Sequence, residues 1–429
     1  MPPGETDIYE YTYDMFLSSI EGEQSEATRF SEWMDAVEAD GRYAFEALRQ
    51  GAQRPEVEVV RTSGLALRLV NLASYNYLGL GYHPVVIEAA QAALARYGLG
   101  AASSPVIAGT LQVHKDLEAS LLDFLGLPGR GVSLFSSGYG VNTGTLAAVV
   151  KRRHHVVVDR SAHMSILEGA QLSRASVHYF NHNDAADLEA VLEGLGPDSG
   201  RVLVCTEGVF SADGDLGNLG AIVPVAKRFG AQVLVDEAHS FLVAGPGGRG
   251  VCEEHGVLDQ VDYLVVTFSK ALGGVGGAVI AKREVARYIN WYARCRMFSC
   301  AIDPAVTAGV TAALRIGAGP EGAERRRRVV ENAALLRRLL SPQVLVGRTE
   351  SWIVPVIYGE ERLTLKLCDW LQREGIDGSV MEFPAVPVSE ARLRLFVTAD
   401  HTAEQLSRAA EVIIRAAHHF GFARPATTA

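Results

Sequence analysis

The sequence predicts an α/β protein: a large domain built on a mainly parallel sheet, followed by a smaller C-terminal α/β domain. Three observations lead there. Between about residues 60 and 300, short β-branched runs alternate with helical patterns. Those runs are apolar throughout, as strands covered on both faces are. After residue 300 helices predominate, with only two strand-like runs.

Taken in order, residues 1–60 mix acidic and aromatic residues in a helical rhythm, as in "EATRFSEWMDAVEADGRYAFEAL", and are read as a helical N-terminal segment. Residues 61–300 form the expected large domain. Its strands are "GVSLFSS", "HHVVVD", "RVLVCTEG", "AQVLVDEAHS", "DYLVVTFSK" and "GAVIAK". Residues 301–429 form the expected small domain, with helices "AVTAGVTAALRI" and "LTLKLCDWLQREG" and strands "SWIVPVIYG" and "ARLRLFVTA". A last helix opens on Thr402 and Gln405, spaced as a capping box, and closes on His418 and His419 before Gly421.

Composition narrows the setting. The chain has 429 residues, 48% hydrophobic and 21% charged, enough for an ample core. No apolar run reaches the roughly 18 residues a membrane span needs. The acidic start "MPPGETDIYEYTYDMF" lacks a basic, then apolar, secretory pattern. Five scattered cysteines (Cys205, Cys252, Cys295, Cys300, Cys368) form no CxxC pair, so a reducing, cytoplasmic compartment is expected. A net charge of -10 argues against a nucleic-acid surface. Cys252, His255 and His239 make no complete metal-ligand set, so no metal is expected.

In open α/β sheets chemistry collects at the carboxyl ends of strands, and five runs end in polar or glycine-rich clusters. "FSSGYGVNTG" passes from strand through glycine into helix, placing amides near Gly138 and Tyr139 where a phosphate is stabilised. Asp236 ends a buried strand and needs a cationic partner, either a core Arg or Lys or the protonated nitrogen of a pyridine ring. His239 lies one strand step further. Lys270, beside Thr267 and Ser269, can form a Schiff base with an aldehyde. His163, in "DRSAHMSILEG", either stacks on an aromatic ring or caps its loop. Aldehyde-trapping lysine, buried aspartate and glycine-helix cup together describe a pyridoxal 5'-phosphate (PLP) site of the aspartate-aminotransferase fold, fold type I. The run "ERRRRVVENAALLRRLL" reads as the solvated face of an amphipathic helix.

On these motifs the chain resembles the α-oxoamine synthase family. The resemblance runs through "NLASYNYLGLGYHP", "GLGAASSPVIAGTLQVHKDLE", "FSSGYGVNTG", "FNHNDAADLE", "EGVFSADGD", "VDEAHSFLVAGPGGRG", "TFSKALGGVGG" and "ARLRLFVTADHT". Within the family, "SYNYLG", "DEAHS" followed by "GPGGRGV", and "TFSKALGGVGG" are most similar to bacterial serine palmitoyltransferases. The resemblance implies catalytic roles for Lys270, His163, Asp236 and His239: the cofactor lysine, the histidine over the ring, the partner of the pyridine nitrogen and the partner of the phenolic oxygen. It implies cofactor contacts from Gly138, Tyr139, Ser211, Thr267 and Ser299, and substrate contacts from Asn76, Ser104 and Arg394. Ser299 matches a segment that reaches the neighbouring subunit, which implies a homodimer with a shared active site.

The implied reaction joins a small amino acid (serine, alanine or glycine) to an acyl thioester, on CoA or an acyl carrier protein, and releases carbon dioxide to leave an α-amino ketone. Other members of the family, including 8-amino-7-oxononanoate and 5-aminolevulinate synthases and synthases of specialised amino ketones, share that chemistry. An aminotransferase or carbon–carbon lyase on the same cofactor, and a non-catalytic partner subunit, are the alternatives from outside it. Three positions depart from the family pattern. Glu382 and Pro105 stand where relatives carry Arg, and Phe241 and Leu242 follow "DEAHS" where a glycine is usual. With Glu382 a second carboxylate anchor is not expected, with Pro105 the acyl end is expected to be apolar or held differently, and with Phe241 and Leu242 an altered pocket wall is expected.

Overall fold

The computed structural model describes residues 23–196, 200–383 and 385–424. In chain order its strands are β1 (Leu48–Gln50), β2 (Glu56–Val60), β3 (Ala66–Leu72), β4 (Arg130–Phe135), β5 (His155–Asp159), β6 (Ser176–Phe180) and β7 (Val202–Glu207). They continue with β8 (Gln232–Asp236), β9 (Tyr263–Thr267), β10 (Gly277–Lys282), β11 (Ile353–Gly359), β12 (Ile376–Met381) and β13 (Ala391–Phe396). The described residues divide into two compact units, one made of those within 75–211 and 215–328, the other of those within 23–74, 212–214 and 329–424.

The larger unit holds a seven-stranded sheet in the order β4-β10-β9-β8-β7-β5-β6. Strands β9, β8, β7, β5 and β6 run parallel, and β10 alone runs against both of its neighbours. Every residue of β7 and β9 is buried, which is why these strands read as unbroken apolar runs. Val156, Val158, Leu203, Leu234 and Val265 pack with Val141 and Leu146 of the helix Gly138–Val149. Burying each such side chain contributes about 1.5–3 kcal/mol. Asp159, Glu207, Asp236 and Thr267 are the last residues of β5, β7, β8 and β9. Four polar side chains thus share the carboxyl edge of one parallel sheet.

The smaller unit holds a six-stranded sheet, β1-β2-β3-β12-β13-β11, antiparallel except where β3 meets β12. This differs from the expected division at residues 60 and 300. The helix Glu23–Ala39 forms as expected, and the first 22 residues lie outside those described. But β1 and β2 fall inside the segment read as purely helical. The stretch "EVEVV" alternates: Val57 and Val59 are 3% and 1% exposed while Glu58 faces out, the pattern of a strand with one buried face. These N-terminal strands pair with C-terminal ones, so residues 61–72 belong to the smaller unit. The helix Pro304–Ala318, in contrast, belongs to the larger.

The arginine-rich run forms the helix Pro320–Leu340, but not all of it is a solvated face. Arg326 is 9% exposed and donates to the Gly317 carbonyl at 2.6 Å. Arg337 donates to the Ser351 carbonyl. Guanidinium donors here close off orphan carbonyls. No helix among the described residues is long and apolar enough to cross a membrane.

Candidate active site

At the carboxyl edge of the larger sheet, β4 leads through Ser137 into the helix Gly138–Val149, and Ser137 Oγ accepts from the Gly140 amide at 3.0 Å. The amides of Gly138 and Tyr139 precede the first intrahelical bond and lie at the positive end of the helix dipole. A Cβ on Gly138 would sit 2.6 Å from Thr267 Oγ1, so only glycine permits this approach. Thr267 Oγ1 donates to the Gly276 carbonyl at 3.2 Å and meets Ser269 Oγ at 2.8 Å. Since the threonine proton is committed to the carbonyl, Ser269 is the donor of that pair.

Asp236 is 4% exposed and accepts from Asn142 Nδ2 at 2.6 Å and from the Ala238 amide at 2.9 Å. Both donors are neutral. Asn142 also donates to Ser165 Oγ at 2.9 Å, and that oxygen lies 2.7 Å from His163 Nδ1. The Ser165 amide donates to the same Nδ1 at 3.3 Å, so this nitrogen is an acceptor and the ring proton resides on Nε2. The Tyr139 ring meets His163 edge-on at 6.1 Å. His239 is 5% exposed, and its Nδ1 lies 2.7 Å from the Tyr77 hydroxyl.

Lys270 follows β9, half-buried, in a turn closed by the Gly273 amide on the Lys270 carbonyl at 2.9 Å. Gly273 adopts φ 68° and presses on Gly81: a Cβ there would lie 2.3 Å from the Gly81 Cα. Gly81 in turn donates its amide to Asn76 Oδ1 at 3.2 Å. The asparagine loop and the lysine turn are thereby held together. Ser211 sits just past β7 in a loop closed by the Phe210 amide on the Asp215 carbonyl at 3.1 Å.

Ser104 and Ser299 form a separate locality of the same unit. Ser104 Oγ donates to the Met297 carbonyl at 2.7 Å, and Ser299 lines a cleft with Pro105, Ser136 and Arg296. Arg394 belongs to the smaller unit, in the middle of β13, 9% exposed and with its guanidinium 4.6 Å from the centre of the Phe396 ring. Leu242 takes φ 70°, a left-handed conformation that glycine would adopt without strain. Its side chain fills the space over Gly317, where a Cβ would come within 2.5 Å of the leucine Cδ2.

Glu207, Asn142 and Tyr77 belong to the site but not to the sequence reading. Glu207 is 3% exposed, stands in register beside Asp236 and accepts the His163 amide at 2.5 Å. Burial first, and then the Asp236 charge, hold its carboxyl well above the usual carboxylate range. The uncharged form of Glu207 is thereby favoured. The strand ending "CTEG" was the available signal: a buried run that stops on a carboxylate.

These residues fit PLP. Asp236 is a buried carboxylate with neutral donors only, which suits a protonated ring nitrogen. The glycine-tight helix N-terminus beside Thr267 suits a phosphate dianion, and the half-buried Lys270 amine suits an aldehyde.

Comparison with known proteins agrees. The sequence profile of aminotransferase class I and II matches residues 68–413. The 8-amino-7-oxononanoate synthase of Citrifermentans bemidjiense is 37% identical over 90% of this chain and 97% of that one. The Sphingomonas wittichii serine palmitoyltransferase structure superposes with a TM-score of 0.86 at 30% identity, covering 94% of this chain and 99% of that one. The S. paucimobilis serine palmitoyltransferase, solved with bound PLP–myriocin, gives 0.85 at 31% identity over 92% and 98%. The cluster at the sheet edge and these likenesses converge: the chain belongs to the α-oxoamine synthase family and is a PLP-dependent C-acyltransferase of fold type I.

Proposed function

We propose that this enzyme condenses a small amino acid with an acyl thioester, losing carbon dioxide to give an α-amino ketone. The observation that carries the reading is the tautomer of His163: with Nδ1 accepting from the Ser165 amide, the ring N–H is on Nε2, the kind of donor that a developing oxyanion requires. Bound at this edge, PLP supplies an electron sink for the charge left on the amino acid carbon. Lys270 holds the cofactor and then takes the α-proton. Asp236 keeps the ring nitrogen protonated, His239 bonds the phenolic oxygen, and Gly138, Tyr139 and Thr267 hold the phosphate. Asn76, on the loop fastened to the lysine turn, steadies the amino acid carboxylate.

Two substrate pairs have specific support. The serine palmitoyltransferase likeness, which spans nearly the whole chain, and Pro105 in place of a cation favour serine with a long apolar acyl group. The higher identity to 8-amino-7-oxononanoate synthase favours the second pair. By its name that product bears a methyl next to the amine and a carboxylate at the far end, the atoms that alanine and a dicarboxylic thioester would leave. We also read the enzyme as a homodimer. Leu99, Ile107 and Phe298 are 82%, 78% and 82% exposed in the two chain segments that the contact of Ser104 with Met297 joins, apolar side chains suited to cover by a second copy.

The test is thiol release from each thioester in the presence of PLP and glycine, alanine or serine, with the product identified by mass. Release that depends on one amino acid and yields the matching amino ketone is expected. Transfer of the amine to a keto acid, with no thiol released, would instead make the protein an aminotransferase.

A further inference from the structure

The stretch "FNHNDAADLE" has no part in the site described so far. Phe180 ends β6, and Asp184 caps the helix Ala185–Leu195 by accepting the Ala186 and Asp187 amides, so neither strand nor cap needs His182 or Asn183. The His182 side chain instead bridges two carboxylates, with Nδ1 2.9 Å from Asp159 Oδ1 and Nε2 2.9 Å from Asp215 Oδ2. A neutral imidazole carries one N–H and cannot donate to both, so the ring is an imidazolium. Asp159 is fully buried, and Asp215 Oδ1 is buried with no hydrogen-bond partner among the described residues. Both acids depend on this cation for balance.

Asn183 completes the knot from the left-handed region, φ 57°, which asparagine tolerates better than most residues. Its amide N–H donates to Asp159 Oδ2 at 2.9 Å, and its side chain donates to Asp215 Oδ2 at 2.7 Å and to the Leu216 carbonyl at 2.9 Å. Asp159 ends β5 and fixes the turn toward His163, since Oδ1 accepts the Ser161 amide at 2.9 Å. Asp215 closes the loop that presents Ser211, and Phe210 of that loop sets its ring edge-on to His182 at 4.4 Å. Burial alone would lower the imidazole pKa, but the hydrogen bonds to Asp159 and Asp215 outweigh it and raise the group to about 10.

We propose that His182 is a positioning residue for the condensation: it clamps Asp159 to Asp215 and so fixes the two loops that carry His163 and Ser211. The thioester readout rests on the function proposed above; the cofactor readout does not.

The experiment uses the full-length holoenzyme and three variants, His182→Gln, Asp215→Asn and the pair together. In His182→Gln the thioester KM rises and kcat falls, together about tenfold or more as expected for a slightly misplaced group, while the amino acid KM moves less than about twofold and the PLP absorbance band shifts. The double variant, which removes the unbalanced charge, regains most of the loss. Asp215→Asn reads the same clamp if His182→Gln does not fold, and it too raises the thioester KM. A His182→Gln or Asp215→Asn enzyme that keeps both the parent's thioester kinetics and its PLP band overturns the proposal, as does a double variant no better than His182→Gln. If the parent itself releases no thiol, the condensation fails as a reading, and the shift of the PLP band in His182→Gln still decides the clamp.

Discussion

Asp236 and Glu207 show how neighbouring residues of like chemistry part ways. They end adjacent parallel strands, and two buried carboxylates so placed do not both ionise cheaply. Asp236 receives two donors, while burial and the Asp236 charge push the Glu207 carboxyl well above the usual carboxylate range and favour its uncharged form. Glu207→Gln, which preserves shape and neutrality, is therefore expected to keep kcat/KM within a fewfold of the parent. Asp236→Asn would remove the charge proposed to hold the ring proton and is expected to lose about 10²-fold or more. Steady-state kinetics of the two variants check this; equal damage in both would contradict the assignment. At this scale the sequence pointed to Asp236 and Thr267, which end strands, to Gly138, which opens a helix, and to His239 and Lys270, each three residues past a strand end, all of them local patterns. It did not show Asn142, Tyr77, Glu207 or His182. Each of these matters through a polar partner far away in the chain, and of the four only Glu207, at the end of a buried strand, carried a local signal.

Elements with local signals were the most legible. The last helix, Ala403–Phe420, opens on the expected box, with the Gln405 amide on Thr402 Oγ1 at 3.2 Å and the Thr402 amide on Gln405 Oε1 at 3.0 Å. It ends on Gly421 at φ 80°, the left-handed position glycine favours. Just before this helix, His401 is 5% exposed, accepts the Thr398 amide at Nδ1 (3.0 Å) and donates from Nε2 to the Asn71 carbonyl (3.2 Å). It is neutral, and burial lowers its pKa to about 4. In the unfolded chain it titrates near 6.5, so between pH 6.5 and 4 the unfolded chain binds a proton the folded unit lacks. Stability is then expected to fall by about 2 kcal/mol from this group between pH 7 and 5. Urea midpoints of the parent and of His401→Gln at both pH values test this. The parent's extra sensitivity to acid should be absent from the variant, and parallel losses would rule the group out. Strand β2 carried its alternation openly, but its brevity and acidic residues hid it within a helical region.

At the scale of the whole molecule, the parallel sheet of the larger unit was legible because continuous apolar runs separated by helices admit few other arrangements. The boundary between the units was not. Strand alternation says that β2 and β3 have a buried face, but not that β3 pairs with β12 some 300 residues later, and the pairing partner decides the unit. The proposed reaction makes one chemical claim, a carbon–carbon bond made as a carboxylate is lost. The direct measurement is carbon dioxide release from amino acid labelled at the carboxyl carbon, with purified holoenzyme, with and without acyl thioester, and with Lys270→Ala as control. Labelled carbon dioxide formed in step with free thiol, only when the thioester is present and only with Lys270 intact, is the predicted result. Thiol release with the label retained in the product, or label loss indifferent to the thioester, would contradict a decarboxylative condensation.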